Sequence, residues 1–144
     1  MRVLVQRCKQ ACCKVDNKTT GQIDDGFVLF VGFTEGDNKE TITAMVKKVV
    51  NLRIFPDENG VMNLSILEAG GSILSISQFT LYADTHKGNR PSYIKAMTGS
   101  KAILLYDYFN QCLKEFVPVE TGIFGVHMEI SLTNVGPTTI LLER

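Results

Sequence analysis

Ser77, Gln78 and Thr80 sit inside SISQFTLYAD, residues 75–84, a stretch whose composition predicts a β-strand. Two hydroxyls and a carboxamide so close together suit three kinds of chemistry. They can supply a nucleophile, place donors near a developing oxyanion, or simply hydrogen-bond to neighbouring backbone. In a strand, Ser75, Ser77 and Phe79 face one way, and Ile76, Gln78 and Thr80 the other. A Ser or Thr nucleophile needs a base held by a third group, and His86 and His127 are the only histidines. His86 lies in the turn-rich THKGNRPS segment, and His127 shares its predicted strand face with Glu129 and Ser131. Neither spacing makes a triad, and there is no GxSxG elbow. Taken alone, the strand favours backbone hydrogen bonding over nucleophilic catalysis.

A second candidate is TNVGPTT, residues 133–139. Asn, Gly and Pro are usual turn residues, so a hairpin is the ordinary reading. Gly136-Pro137 is also a bond where the cis isomer costs only about 0.5–1 kcal/mol over trans. Glycine additionally lets main chain approach a ligand closely. Met128, on the same predicted face as Val126 and Ile130, reads as core, with a pocket wall as the alternative. Lys87, Arg90 and Lys95 in THKGNRPSYIK are the local candidates for phosphate contacts. Cys8, Cys12, Cys13 and Cys112 have neither CxxC spacing nor a nearby His pair, and Cys12 and Cys13 point to opposite strand faces. Reduced thiols in a cytoplasmic protein fit that pattern better than a disulfide framework or a zinc site.

These residues must be positioned by a small fold. One domain over residues 1–144 is the simplest organisation for a chain with 44% hydrophobic and 21% charged residues. Fifteen basic residues balance fifteen acidic ones, so no global field advertises a nucleic acid or membrane partner. MRVLVQRC is too short and too charged for a signal peptide, and no apolar run approaches a membrane span. Residues 2–6 and 11–15 read as strands, and DDG at 24–26 as a turn into a strand over 27–33. Asp37 with Glu40 resembles a capping box, ahead of a helix with the stripe Ile42, Met45, Val46, Val49 and Val50. Residues 52–55 read as a short strand ended by Pro56, Asn59-Gly60 as a turn, and Gly70-Gly71 as the lead into the 75–84 strand. A second helix is expected from a Ser100 cap to Phe116, burying Ala102, Leu105, Phe109, Cys112 and Phe116. Strands over 124–133 and 138–142 complete an α+β domain with two helices and a curled, mainly antiparallel, barrel-like sheet.

The two polar motifs gain meaning as a pair. SQFTL at 77–81 with NxGPxT at 134–139 resembles the signature motifs of the D-aminoacyl-tRNA deacylases. MRVLVQR at the start, NLRIF at 51–55, GVMNLS at 60–65, AGG at 69–71, ADTHKGNRPS at 83–92 and LYDYF at 105–109 also sit where that family's patterns place them. The resemblance covers nearly the whole chain. One small departure is Val135-Gly136-Pro137-Thr138-Thr139, where the family often has Asp-Gly-Pro-Val-Thr.

The resemblance implies a homodimer with an active site at each subunit interface, acting on tRNA and needing no cofactor or metal. One subunit would contribute SQFTL and its partner a cis Gly136-Pro137. The reaction would be hydrolysis of the ester joining a D-amino acid to the terminal adenosine of tRNA. Carbonyls of Gly136 and Pro137 would accept charge-assisted bonds from the substrate ammonium, and an L side chain would collide with that backbone. Glycine would pass such a filter, so glycyl-tRNA(Ala) is an expected second substrate. Arg7 would hold the Gly-Pro segment with its rigid fork of donors. Ser77 and Gln78 would serve as oxyanion donors, Phe79 would pack on the adenine, and Met128 would line the pocket. Thr80 would position the substrate while the ribose 2′-hydroxyl activates water, with Thr80 as direct nucleophile the alternative. Three rivals remain at this point: a broad esterase or amidase using Thr80, a non-catalytic RNA- or nucleotide-binding module, and a stand-alone relative of synthetase editing domains, which would discriminate by side chain.

Overall fold

The computed structural model describes residues Met1–Arg144 throughout. A long hairpin of β1 (Arg2–Val15) and β2 (Lys18–Gly32) forms its frame. Asp16 and Asn17 close it with φ of 48° and 62°, the left-handed conformation that these two residue types tolerate in tight hairpin turns. Residues 2–6 and 11–15 therefore belong to one strand. Gln10, at φ 51°, interrupts the pairing between Lys9↔Asp25 and Ala11↔Ile23 without changing that register, and the irregularity appears instead toward β7, where the register shifts between Lys9 and Cys12.

The DDG segment is no turn either, because Asp25 and Gly26 pair with Lys9 and Cys8 in mid-strand. Gly26 also pairs with Ser72, and a Cβ there would collide with the Ser72 carbonyl. Its role is close approach of a neighbouring strand.

Helix α1 (Lys39–Val50) buries the stripe Ile42, Met45, Val46, Val49 and Val50. Its cap is Asn38, whose Oδ1 accepts from the Thr41 amide at 2.9 Å. Asp37 is engaged elsewhere, accepting from the Met1 ammonium at 2.6 Å and the Thr34 amide at 2.8 Å. The strand expected at 52–55 shrinks to β3 (Phe55–Pro56), which pairs with β4 (Met62–Leu64) around the Asn59-Gly60 turn. An unforeseen short helix, α2 (Ile66–Ala69), follows, with a complete Ser65/Glu68 capping box and Gly70 as its left-handed end.

β5 (Ser72–Ser77) runs parallel to β2 and ends early. Residues Phe79–Tyr82 form a 3₁₀ turn, so the strand alternation expected through Thr80 fails after Ser77. α3 (Gly99–Lys114) starts after Thr98 and buries Ala102, Tyr106, Phe109, Asn110 and Leu113. Its inner face is rotated from the expected one, leaving Leu105 and Cys112 half-buried and Phe116 beyond the helix and 46% exposed. There are thus three α-helices, not two.

β6 (Val119–Thr121) adds in parallel to β5, and β7 (Glu129–Glu143) lies antiparallel to β1. The main sheet has the order β6-β5-β2-β1-β7, with its long pairings antiparallel and its short ones parallel. It is the curled, mostly antiparallel sheet of an α+β fold. Residues 122–128 are not strand, so the shared face expected for His127 and Glu129, and for Val126 and Met128, does not form.

Residues 134–137 are not a hairpin. β7 continues through them, and the register passes from Cys8↔Asn134 to Gln6↔Thr139. Residues 135–138 therefore bulge from an edge strand opposite the single residue Arg7. The peptide bond between Gly136 and Pro137 is cis.

Alternation along the sheet divides the core. Val3, Val5, Phe27 and Leu29 point toward α1 and α3, meeting Met45, Phe109 and Leu113. Cys8, Cys13, Val28, Leu74 and Ile76 form a smaller cluster on the other face, with Met128 and Ile130 against it.

Candidate functional site

The early end of β5 builds the first part of the site. Ser77 pairs with Val31, the Gln78 amide donates to the Val31 carbonyl at 2.7 Å, and the chain then leaves the sheet. Gly32 makes this exit possible, since a Cβ there would come 2.9 Å from the Gln78 carbonyl oxygen. Beneath the exit is a cavity of about 560 Å³, walled by the ends of β2 and β5, the start of α3 and residues 124–130. Ser77, Gln78, Phe79 and Met128 all line it.

Phe79 stands at the rim, 56% exposed, with its ring edge-on to Tyr93 at 5.0 Å between centroids. Thr80 does not line the cavity; its hydroxyl accepts from the Gln78 carboxamide. Opening amides of a helical turn have no partner within that turn, and the Phe79 and Thr80 N–H groups make no backbone hydrogen bond elsewhere. Arg2 anchors the far end: its Nη1 donates to the Leu81 carbonyl at 2.7 Å, and its guanidinium lies 4.8 Å above the Tyr82 ring.

No histidine is arranged as a base for Thr80. His86, with its side chain 92% exposed, pairs through Nδ1 with Asp84 at 2.8 Å. Asp84 also accepts from Lys95 Nζ at 2.9 Å and from the His86 amide at 3.1 Å. The Lys95 bond first, then the His86 amide, holds the Asp84 carboxyl well below the usual carboxylate range. His127 instead lines the cavity from the 122–128 segment. Three or more His, Cys, Asp or Glu side chains do not converge anywhere as a metal site would require.

Arg7 and Gly136-Pro137 form a separate constellation. Arg7 Nε donates to the Val135 carbonyl at 3.2 Å, and Nη1 to the Ile54 carbonyl. Gly136 has φ +113°, and a Cβ on it would lie 2.8 Å from Arg7 Nη2. Asn134 Nδ2 donates to Thr139 Oγ1 at 2.8 Å, closing the base of the bulge. Gly136 and Pro137 are exposed and absent from the cavity wall. The structure thus brings Ser77, Gln78, Phe79 and Met128 together in one place and Arg7, Gly136 and Pro137 in another.

Tyr93 and His127 are cavity residues that the sequence reading did not single out for the pocket. The tyrosine had one available signal, an aromatic set among basic residues in THKGNRPSYIK. His127 had none, because its placement depends on an irregular loop.

Comparison with known proteins places the fold. A solved structure described as a c-Myc DNA unwinding element binding protein matches with TM-score 0.95 and 34% identity, covering 100% of this chain and 99% of the other. Another, described as a probable eukaryotic D-amino acid tRNA deacylase, matches with TM-score 0.84 over 98% of this chain and 97% of the other; at 18% identity it supports the fold. The family model for D-Tyr-tRNA(Tyr) deacylase matches residues 4–143. A D-aminoacyl-tRNA deacylase of Listeria monocytogenes serotype 4a (strain HCC23) is 51% identical over 144 residues, covering 99% of this chain and 95% of the relative. These relatives make the chain a hydrolase. The chain belongs to the D-Tyr-tRNA(Tyr) deacylase family.

Proposed function

We propose that the protein hydrolyses the ester of D-aminoacyl-tRNA, releasing the free D-amino acid and tRNA, with a site shared between two protomers. The observation that carries this reading is the exit of SQFTL from β5 beside a cavity that Ser77, Gln78 and Phe79 line, with the Phe79 and Thr80 amides unused by the backbone. The terminal adenosine packs against Phe79. Water adds to the ester carbonyl, the oxyanion is held by donors of the Ser77–Thr80 segment, and the ribose 3′-oxygen leaves with a proton. Loss of one oxyanion donor costs about 10²–10³ in rate in other hydrolases, so a few such donors matter greatly. Thr80 positions rather than attacks, because its hydroxyl is engaged by Gln78 and no base stands beside it.

Chirality is read by the partner's Gly136 and the partner's Pro137. Within one protomer these residues lie far from the cavity: from Ile130 on its wall to Pro137, the strand rise amounts to about 20 Å. A second copy, presenting its exposed bulge, supplies what the first lacks. Main-chain carbonyls bind the substrate ammonium and leave no room for an L side chain, while a glycyl ester on tRNA(Ala) is admitted. The enzyme acts in the cytoplasm, where its substrate is made; no helix is long and apolar enough to cross a membrane.

A second reading, nucleic acid binding without chemistry, is favoured by the name of the 34% identical structure. Incubation with D- and L-tyrosyl-tRNA separates the two. Selective release of D-tyrosine is expected; binding without release, or equal release of both enantiomers, overturns the proposal. Thr80→Ala is expected to keep substantial activity, and complete loss with intact binding would restore the threonine nucleophile.

A further inference from the structure

At Tyr93 the rim of the cavity continues into an exposed loop to which the mechanism above gives no part. Residues 84–95 form a loop pinned at both ends. Asp84 and Ser92 exchange backbone hydrogen bonds of 2.8 and 2.9 Å, and Thr34 Oγ1 donates to the Lys95 carbonyl at 2.6 Å. Asp84 neutralises Lys95, whereas Lys87 and Arg90 take part in no ion pair. On this loop stand Tyr93, beside Phe79, and Ile94, which is 93% exposed.

An isoleucine left almost wholly in water, following an exposed ring on a loop that also carries two unpaired cations, has the makings of a contact surface. Its chemistry is mixed in a particular way. A π-face and an aliphatic side chain suit a base, and free cations suit the phosphates beside it. The edge-to-face contact matters too, because the two rings meet at an interplanar angle of 71° and cannot serve one flat base together.

We propose that Tyr93 and Ile94 form a second base subsite, which takes the nucleotide 5′ of the terminal adenosine, with Lys87 and Arg90 against its phosphates. The ligand is single-stranded RNA at least two nucleotides long. This rests on the deacylase reading, and it assigns the substrate a longer footprint than the aminoacyl-adenosine alone. A loop held by its own hydrogen bonds is ordered before RNA arrives, so little ordering entropy opposes binding.

The test compares D-tyrosyl esters of adenosine, of the dinucleotide cytidylyl-adenosine, and of full-length tRNA. Stacking of one further base predicts that kcat/KM for the dinucleotide ester exceeds that for the adenosine ester by about 5- to 100-fold. In Tyr93→Ala and Ile94→Ser, the ratio of the two values should fall toward one, a measure that cancels any effect on the shared terminal site. In Lys87→Ala and Arg90→Ala, cleavage of the tRNA ester should become less sensitive to salt. Equal rates on the adenosine and dinucleotide esters in the wild type overturn the subsite and leave the deacylase reading standing. Failure to cleave any of the three D-esters sinks the deacylase reading itself. An Ile94→Ser protein that changes oligomeric state while keeping the wild-type ratio assigns the contact surface to a second copy of the chain and overturns the subsite.

Discussion

Substituting Gly136 by alanine probes the separate constellation that the proposed mechanism needs. Two effects can be told apart from the geometry. Gly136 has φ +113°, a conformation that L-residues avoid, and holding a non-glycine there costs on the order of 1–3 kcal/mol. The new Cβ would also lie 2.6 Å from Thr138 Oγ1, 2.8 Å from Arg7 Nη2 and 3.0 Å from the Thr138 amide nitrogen. The guanidinium end is the part free to move, and its displacement breaks the Nε bond to the Val135 carbonyl. The first effect is paid in stability and the second in function. In a domain of this size the strain corresponds to a Tm lower by roughly 3–10 °C, with the fold retained. Activity should fall further than stability implies, by about tenfold or more in kcat/KM on D-tyrosyl-tRNA, and the ratio of D to L cleavage should narrow. Scanning calorimetry and parallel deacylation assays of both enantiomers read the two effects. Arg7→Lys, which relieves the crowding but removes the fork, should narrow the ratio while leaving Tm closer to wild type. A Gly136→Ala protein with unchanged Tm and an unchanged ratio would refute the reasoning on both counts.

Three other perturbations test the scaffold. Gly26→Ala forces a Cβ into the Ser72 carbonyl at the β2–β5 junction and should cost more than about 3 kcal/mol in urea unfolding, far beyond an average substitution. Arg2→Ala removes the donor to Leu81, the cover over Tyr82 and the 2.6 Å pair with Glu143. It should lower stability by about 1–2 kcal/mol and reduce kcat several-fold, whereas Glu143→Gln keeps the Leu81 contact and should change kcat little. Thiol titration at pH 8 should find Cys12 and Cys112 reactive and the buried Cys8 and Cys13 protected until unfolding. Burial pushes the Cys8 thiol up to about 11 from 9.0, so the folded state holds this proton more tightly. Its contribution to stability is complete below about pH 9 and is lost as the pH rises toward 11; unfolding across that window should be steeper in wild type than in Cys8→Ala.

What the sequence disclosed follows the reach of the forces involved. The α1 stripe was legible because helical period is local, and all five stripe residues are buried. The 24–26 segment misled because Asp and Gly usually turn, whereas Gly26 answers to Ser72, far along the chain. The end of β5 at Ser77 was hidden for the same reason: it is Val31 that takes the Gln78 amide. Asn134 to Pro137 carry turn residues, yet their conformation is a bulge set by register against Arg7 at the other end of the sequence. The candidate residues were picked out by type, and the resemblance gathered them. Their division into two constellations, and the presence of Tyr93 and His127 in the cavity, depended on loops that no period encodes.

The pairing of β1 with β7 carries a consequence for biosynthesis. One side of β1 finds its partner β2 as soon as the hairpin leaves the ribosome, but the other side waits for β7, more than a hundred residues further along the sequence, to be made. Through most of translation, the nascent chain therefore carries an open edge along its first strand, available to other nascent chains. The Gly-Pro bulge cannot be set until that edge is closed, so its shape is acquired only when β7 docks on β1.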